Sequence, residues 1–399
     1  MNASSFLNSI FILMASATTV AAADWPIWRG PTYDGLSTEK NWQLTGDPKV
    51  VWEAEIGLGF SSFVVSKGRV ISTGHADDAD TVFCLDAKTG KQVWKHVYPA
   101  DLGDKYYEGG TSATPTFDGD KVYHLSRWGD LFCFEAATGK VVWEKNVQKE
   151  TGANLPDWGF AGAPLVQGNL LILNVGKAGM AVEKASGKIV WKSEVDSAGY
   201  STPYPITRDG RQLAIIGSAD AYVAVDVKTG SQLWSYKWNT RYGVNAADPI
   251  LSGDSLFISS GYNKGCTLLK LGSGAPEKVW ENKSLKNMFN SSVLIDGHLY
   301  GIDGDQNSRA GLKCVRFSDG KEMWSENMGF GSLMAADGRL IILSAKGELI
   351  VVKAGPEKFD EESRAQILNG KCWSAPVLAN GLLYARNSEG RVVCLDLNK

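Results

Sequence analysis

Several kinds of chemistry are missing from this chain of 399 residues, which has only four histidines. His75, His96, His124 and His298 stand apart in strand or turn contexts, so neither a histidine metal cluster nor a Ser-His-Asp relay can be assembled. Basic residues number 41 and acidic ones 44, for a net charge of −3. That balance leaves no basic face for a nucleic-acid backbone and excludes such a partner. None of the six cysteines falls in a C-x-x-C, a C-x-x-C-H or an adjacent Cys-Cys pair, so a dithiol redox motif and a covalently held haem are excluded too. Beyond residue 23 no apolar run exceeds strand length, so no membrane span is expected. His75 with Asp77, Asp78 and Asp80 matches no calcium-loop spacing and reads as an acidic, solvated loop. Gly57-Leu58-Gly59 and Gly329-Phe330-Gly331 lead into strands rather than helices and are not phosphate loops.

At the N-terminus, Phe6 to Val20 is apolar but too short to span a bilayer, and Ala21-Ala22-Ala23 precedes Asp24. Residues 1–23 therefore read as an export signal cleaved after Ala23, which places the protein in the periplasm or outside the cell. Met1 to Ser9 lacks Lys and Arg, a departure from the usual signal, and the first cysteine is Cys84, so no lipid-anchor cysteine follows the apolar stretch. Residues 24–46 hold Trp25, Trp28 and Trp42 without any repeat pattern and read as a leader packed on the body.

What the chain has in abundance is one short pattern, Asp86-Ala87-Lys88-Thr89-Gly90-Lys91-Gln92-Val93-Trp94. Copies run from Glu135 to Trp143, Glu183 to Trp191, Asp226 to Trp234 and Arg316 to Trp324, with a looser one ending at Trp280. Glycine supplies the positive φ of a tight turn, the Thr or Ser before it bonds the turn backbone, and the Trp opens a return strand. A large ring recurring once per unit fills the space between units.

A second series, a polar residue beside glycine between two apolar runs, is centred on Gly68, Gly119, Gly168, Gly210, Gly253, Gly297, Gly338 and Gly381. Together the two series give units of strand A, glycine turn, strand B, loop, strand C, Thr-Gly turn and strand D. The fold class is all-β: a single eight-bladed β-propeller of four-stranded antiparallel blades over residues 47–399. In the seventh unit Ser363 to Leu368 takes the D position without a Trp. The chain stops after strand C of the eighth, so Lys49-Val50-Val51-Trp52 is expected to complete that blade and close the ring. Losing Lys49 to Glu53 should then cost more than losing Asp24 to Arg29. Cys84, Cys133, Cys314 and Cys394 fall at equivalent places in the units, which marks them as small buried hydrophobes rather than bridge partners.

In such blades the D-to-A and B-to-C connections share the face opposite the glycine turns. There the D-to-A segments bring Tyr107, Trp158, Phe160, Arg241, Asn245, Phe289, Asn290 and Trp373, and the B-to-C loops bring Arg127, Trp128, Tyr262, Asn263, Asp305, Arg309, Arg386 and Asn387. Aromatic, Arg and Asn side chains converging on the mouth of a ring are the candidate ligand- or partner-binding set. No catalytic or metal-ligating residue is assigned.

The recurring Asp-x-x-Thr-Gly-x-x-x-Trp ending resembles the tryptophan-docking repeat of pyrroloquinoline quinone (PQQ) type propellers, over about Lys49 to Lys399. Trp25-Pro26-Ile27-Trp28-Arg29-Gly30-Pro31 is similar to the opening of secreted bacterial PQQ-like repeat proteins. Two kinds of relative imply different activities. Quinoprotein alcohol dehydrogenases hold PQQ and Ca²⁺ at the propeller mouth, with a vicinal disulfide, an acidic and an Asn calcium ligand and a catalytic Asp; here only Gly261-Tyr262-Asn263 resembles a calcium-contacting segment. The barrel-assembly scaffold lipoprotein of the outer membrane binds partners and holds no cofactor. The expectation is an exported binding or scaffold module for an envelope protein or polysaccharide, a monomer without cofactor. The alternative is an oxidoreductase using PQQ with Ca²⁺.

Overall fold

The computed structural model describes residues 23–305 and 309–398, so the expected export signal lies, except for Ala23, outside the described residues. Eight antiparallel sheets form the ring, with blades 1 to 7 covering residues 64–99, 116–146, 165–192, 204–237, 250–282, 293–326 and 331–366. Blade 8 combines Val377–Ala379, Leu382–Arg386 and Arg391–Asp396 with the N-terminal strand Lys49–Glu55. That strand pairs antiparallel with the C-terminal one, Lys49 opposite Asp396 and Trp52 opposite Cys394. The ring is thus closed by its two ends, and an open edge at the seam is removed. The D strand of blade 7 is Glu361–Gln366, two residues earlier than the sequence places it, because the polar pair Glu361-Glu362 hides a strand start.

All eight A-to-B glycines have positive φ, between 60° and 74°. Lys67, Asp209, Asp296, Asp337 and Asn380, each just before its glycine, share the left-handed region, as a two-residue hairpin turn with the twist of its strands demands.

The recurring Trp is an inter-blade strut. Six of these indoles donate their N–H to a backbone carbonyl of the next blade: Trp52 to Ala87 at 3.0 Å, Trp94 to Ala136 at 3.0 Å, Trp143 to Lys184 at 3.0 Å, Trp191 to Val227 at 2.8 Å, Trp280 to Phe317 at 3.0 Å and Trp324 to Gly355 at 2.8 Å. The Thr-Gly turn of that next blade passes against the ring, so closely that a Cβ on Gly90 would stand 2.6 Å from Trp52 and one on Gly139 2.5 Å from Trp94. Glycine is required there twice over, for its φ and for the approach. Opposite the Trp residues in the neighbouring strand stand Cys84, Cys133, Cys314 and Cys394, all buried thiols, or Ala181, Ala224 and Leu268.

One residue before each of these Trp, the D strand carries a β-bulge, at Val51, Val93, Val142, Val190, Leu233, Val279 and Met323; in blade 7 Glu362 takes the place. A bulge in every outermost strand disrupts the row of backbone groups that would otherwise template pairing with another chain.

The leader runs across the floor of the ring, on the side of the A strands. Trp25 bridges to Val65 in blade 1, and Leu36–Ser37 adds a parallel strand to blade 7. Trp42 bridges to Asn398, with the Arg339 guanidinium 3.8 Å over its ring. Trp25 and Arg29 are buried, so the leader holds a share of the stability that the sequence did not assign to it.

Candidate functional site

The segments entering the eight A strands converge on the axis and surround a cavity of about 320 Å³. Each begins with small residues, such as Ser61-Ser62, Ser112-Ala113-Thr114, Ala161-Gly162-Ala163, Ala246-Ala247-Asp248 and Ser374-Ala375, and several of these end in Pro, as at Pro115, Pro164, Pro203, Pro249 and Pro376. Small side chains allow eight backbones to meet, and the inner edge strand needs no N–H where Pro stands.

A hydrogen bond to or from one of these side chains crosses every junction. Ser62 N–H donates to Thr114 Oγ1 at 3.1 Å, Thr116 Oγ1 to the Pro164 carbonyl at 2.7 Å, Ala163 N–H to Thr202 Oγ1 at 3.0 Å and Thr202 N–H to Asp248 Oδ1 at 2.8 Å. Continuing round, Asp248 N–H donates to Ser291 Oγ at 2.9 Å, Asn290 Nδ2 to Gly331 O at 2.6 Å, Ser332 Oγ to Trp373 O at 2.6 Å and Ser374 Oγ to Phe60 O at 2.9 Å.

The floor comes from the leader and blade 5. Trp28 Nε1 donates to Asp248 Oδ2 at 2.5 Å, and Arg29 Nε lies 4.0 Å from the same oxygen. Arg29 also donates to the carbonyls of Asp34 at 2.8 Å and Ser292 at 2.7 Å. Burial pushes the Asp248 carboxyl above its usual value, against the opposing pull of Arg29 and its hydrogen bonds; burial likewise lowers Arg29, opposed by Asp248.

The mouth is an aromatic collar. Trp373 stacks on Phe60 at 5.4 Å between centroids and meets Phe289 at 5.1 Å, and Phe60 meets Tyr107 at 5.6 Å. On the other side Trp158 contacts Tyr106 at 5.5 Å, Tyr200 at 5.9 Å and Tyr242 at 6.2 Å, and Tyr242 meets Tyr262 at 5.5 Å.

Of the residues singled out from sequence, the structure brings Tyr107, Trp158, Tyr262, Phe289, Asn290 and Trp373 to the cavity wall. The remaining polar ones stand elsewhere. Arg127 is buried and gives Nη1 to the carbonyls of Leu102 and Gly110 and to Tyr107 Oη; Trp128 donates to Asp101 O at 2.9 Å. Arg386, fully buried, donates to Thr73 O at 2.6 Å and Gly57 O at 2.9 Å, and burial pulls its pKa down to about 9. Asn245 holds the carbonyls of Ser218 and Trp238, and Asn387 that of Asn369. Phe160 is core. Arg241, Asn263 and Arg309 are exposed and Asp305 half-buried, none of them in the cavity wall. Sequence reading missed Phe60, Trp28, Arg29 and Asp248. The repeated small-residue and Pro entry into strand A was the signal that could have found the inner ring.

The family model described as outer membrane protein assembly factor BamB matches residues 78–326. The chain belongs to this family. The outer membrane protein assembly factor BamB of Burkholderia pseudomallei (strain K96243) is 24% identical over 311 residues, 74% of this chain and 64% of its own length. This chain thus spans less than two thirds of that relative. Among solved structures, BamB from Moraxella catarrhalis superposes with a TM-score of 0.64 at 16% identity, covering 88% of this chain and 100% of its own. A quinohemoprotein alcohol dehydrogenase from Comamonas testosteroni gives a TM-score of 0.70 at 14% identity, covering 94% and 81%. At such identities both likenesses describe the fold alone.

PQQ, a planar polyanion, is a poor match for the residues of this BamB-family cavity. Its buried cation, Arg29, already gives its N–H groups to carbonyls and faces Asp248, and a second carboxylate nearby would be repelled. Among the described residues no group of three or more His, Cys, Asp or Glu side chains is placed to hold a metal ion.

Proposed function

We propose that this chain is an exported binding or scaffold module of the cell envelope that engages a protein partner at the aromatic mouth of its ring. The observation that carries this reading is the collar itself, where Tyr106 and Tyr242 are 50% and 53% exposed beside a cavity whose polar groups serve the ring. Exposed aromatics around a pocket are what protein interfaces use as anchors. Membership of a family described as an outer membrane protein assembly factor supports the same reading, and the periplasm is its expected compartment. Photo-cross-linking from position 106 or 242 in intact cells, compared with a site on the glycine-turn face such as Asp254, tests it. Specific protein adducts from the mouth alone are expected; adducts from neither position reject it.

The alternative, a quinoprotein oxidoreductase, is tested by titrating the protein with PQQ and Ca²⁺ and following absorbance and dye reduction with alcohols. No stoichiometric binding and no turnover are expected. Turnover lost on Asn263→Ala or Asp305→Ala replaces the scaffold reading.

A further inference from the structure

A protein-binding mouth leaves open which part of the partner enters the cavity. Resting on that reading of the mouth, we infer that the cavity receives one uncharged aromatic side chain of a polypeptide partner, inserted between the collar and the floor of Trp28 and Arg29.

The walls favour a ring. Phe60, Tyr107, Trp158, Phe289 and Trp373 present faces and edges around one axis, and each well-placed ring pair adds about 0.5–1.5 kcal/mol beyond the area it buries. The depth disfavours the competing ligands. The oxygens of Thr114, Thr202, Ser291, Ser332 and Ser374 and the Asn290 amide are engaged between blades. Trp28, Arg29 and Asp248 are engaged with one another and with backbone. A sugar buried there would find few free polar partners beyond the Ser112, Thr114 and Thr202 hydroxyls, and each of its own hydroxyls left unpaired costs about 1–3 kcal/mol. The planar polar side chains that would grip a sugar, Arg127, Asn245, Arg386 and Asn387, are held by carbonyls away from the cavity. An anion would meet the buried Asp248 carboxylate. An indole or phenol brings at most one polar atom.

Size and rim complete the match. A volume of about 320 Å³ lies at the small end of ligand cavities, enough for a ring side chain with its backbone at the mouth and too little for a folded element. At the rim Lys105, Arg241 and Lys371 lie 4.9, 4.8 and 4.4 Å over Tyr106, Tyr242 and Trp373, and Glu108 pairs with Lys371. Such mixed charge accepts flanking peptide residues of either sign.

The test is calorimetric titration of the intact exported protein with N-acetyltryptophanamide, N-acetylalaninamide and cellotetraose. Two variants that fill the cavity from its wall, Ala161→Phe and Ala246→Phe, are checked for unchanged thermal melting. Binding of the tryptophan amide alone, weakened at least about tenfold in a folded variant, is expected. Competition between the amide and the partner cross-linked at position 106 of the unmodified protein supplies a readout that needs no variant. Cellotetraose binding, amide binding unchanged in both variants, or cross-linking indifferent to saturating amide overturns the inference. The last of these would leave the scaffold reading standing.

Discussion

Trp28 donates its indole N–H to the Asp248 carboxylate at 2.5 Å, joining residues 220 positions apart and tying the leader to blade 5. The same carboxylate accepts from Thr202 N–H at 2.8 Å and from Ser291 Oγ at 3.3 Å, with Arg29 Nε at 4.0 Å. Asp248→Ala leaves the buried Arg29 guanidinium without its counter-charge and the Trp28, Thr202 and Ser291 donors without their acceptor, which costs about 3–5 kcal/mol. Asp248→Asn keeps an acceptor and should cost less. Denaturant midpoints of the two variants check the order; midpoints equal to that of the unmodified protein would mean that the floor contributes nothing to the ring.

His124 should govern part of the acid response. Its ring is buried, Tyr98 Oη stands 2.9 Å from Nε2, Nδ1 has no partner, and burial lowers its pKa from 6.5 to about 3. A folded-state value below the unfolded one means that the contribution is fully present above pH 6.5 and is lost as pH falls through about 3. The loss is limited to a few kcal/mol. His124→Gln removes this titration. The stability difference between unmodified protein and variant should shrink steadily between those limits, as read by urea unfolding at several pH values.

The turns, the Trp spacing and the closure of blade 8 were legible in sequence because each depends on residues a few positions apart or on a count of repeats. Polar site residues were not. Whether Arg127 or Arg386 faces solvent or a cluster of carbonyls is decided by chain brought in from other blades, and no local pattern records that. The aromatic candidates fared better, since Trp158, Phe289 and Trp373 lie on the segments that lead to the axis whatever the details of packing. The leader has no period at all, so its place under the ring was invisible.

Arg386 offers a test of what holds the seam between blades 8 and 1. Its guanidinium serves Thr73 O, Gly57 O and its neighbour Asn387 O, with no carboxylate in an ion pair with it among the described residues. Lysine keeps the charge but cannot direct a planar fork at carbonyls lying in different directions. Methionine removes charge and donors together. Arg386→Lys should therefore cost at least as much as Arg386→Met, both about 2–4 kcal/mol. A lysine variant near the stability of the unmodified protein would show that charge alone holds the seam.

The strut between blades 1 and 2 can be isolated by a double-mutant cycle. Trp94 fills the junction at 6% exposure and bonds Ala136 O at 3.0 Å, so Trp94→Ala should cost about 3–5 kcal/mol. Trp94→Phe, which loses the hydrogen bond and part of the ring, should cost nearer 1–2 kcal/mol. Gly139→Ala has two separate penalties, a positive φ of 72° and a Cβ placed 2.5 Å from the Trp94 ring. Only the second depends on Trp94. In the Trp94→Ala background the clash disappears while the backbone strain of about 1 kcal/mol remains. Gly139→Ala should therefore be milder there, with a coupling energy of about 1–3 kcal/mol between the two sites. Strict additivity in chemical denaturation would mean that the ring and the turn do not press on each other, and that glycine is needed in the repeat for its φ alone.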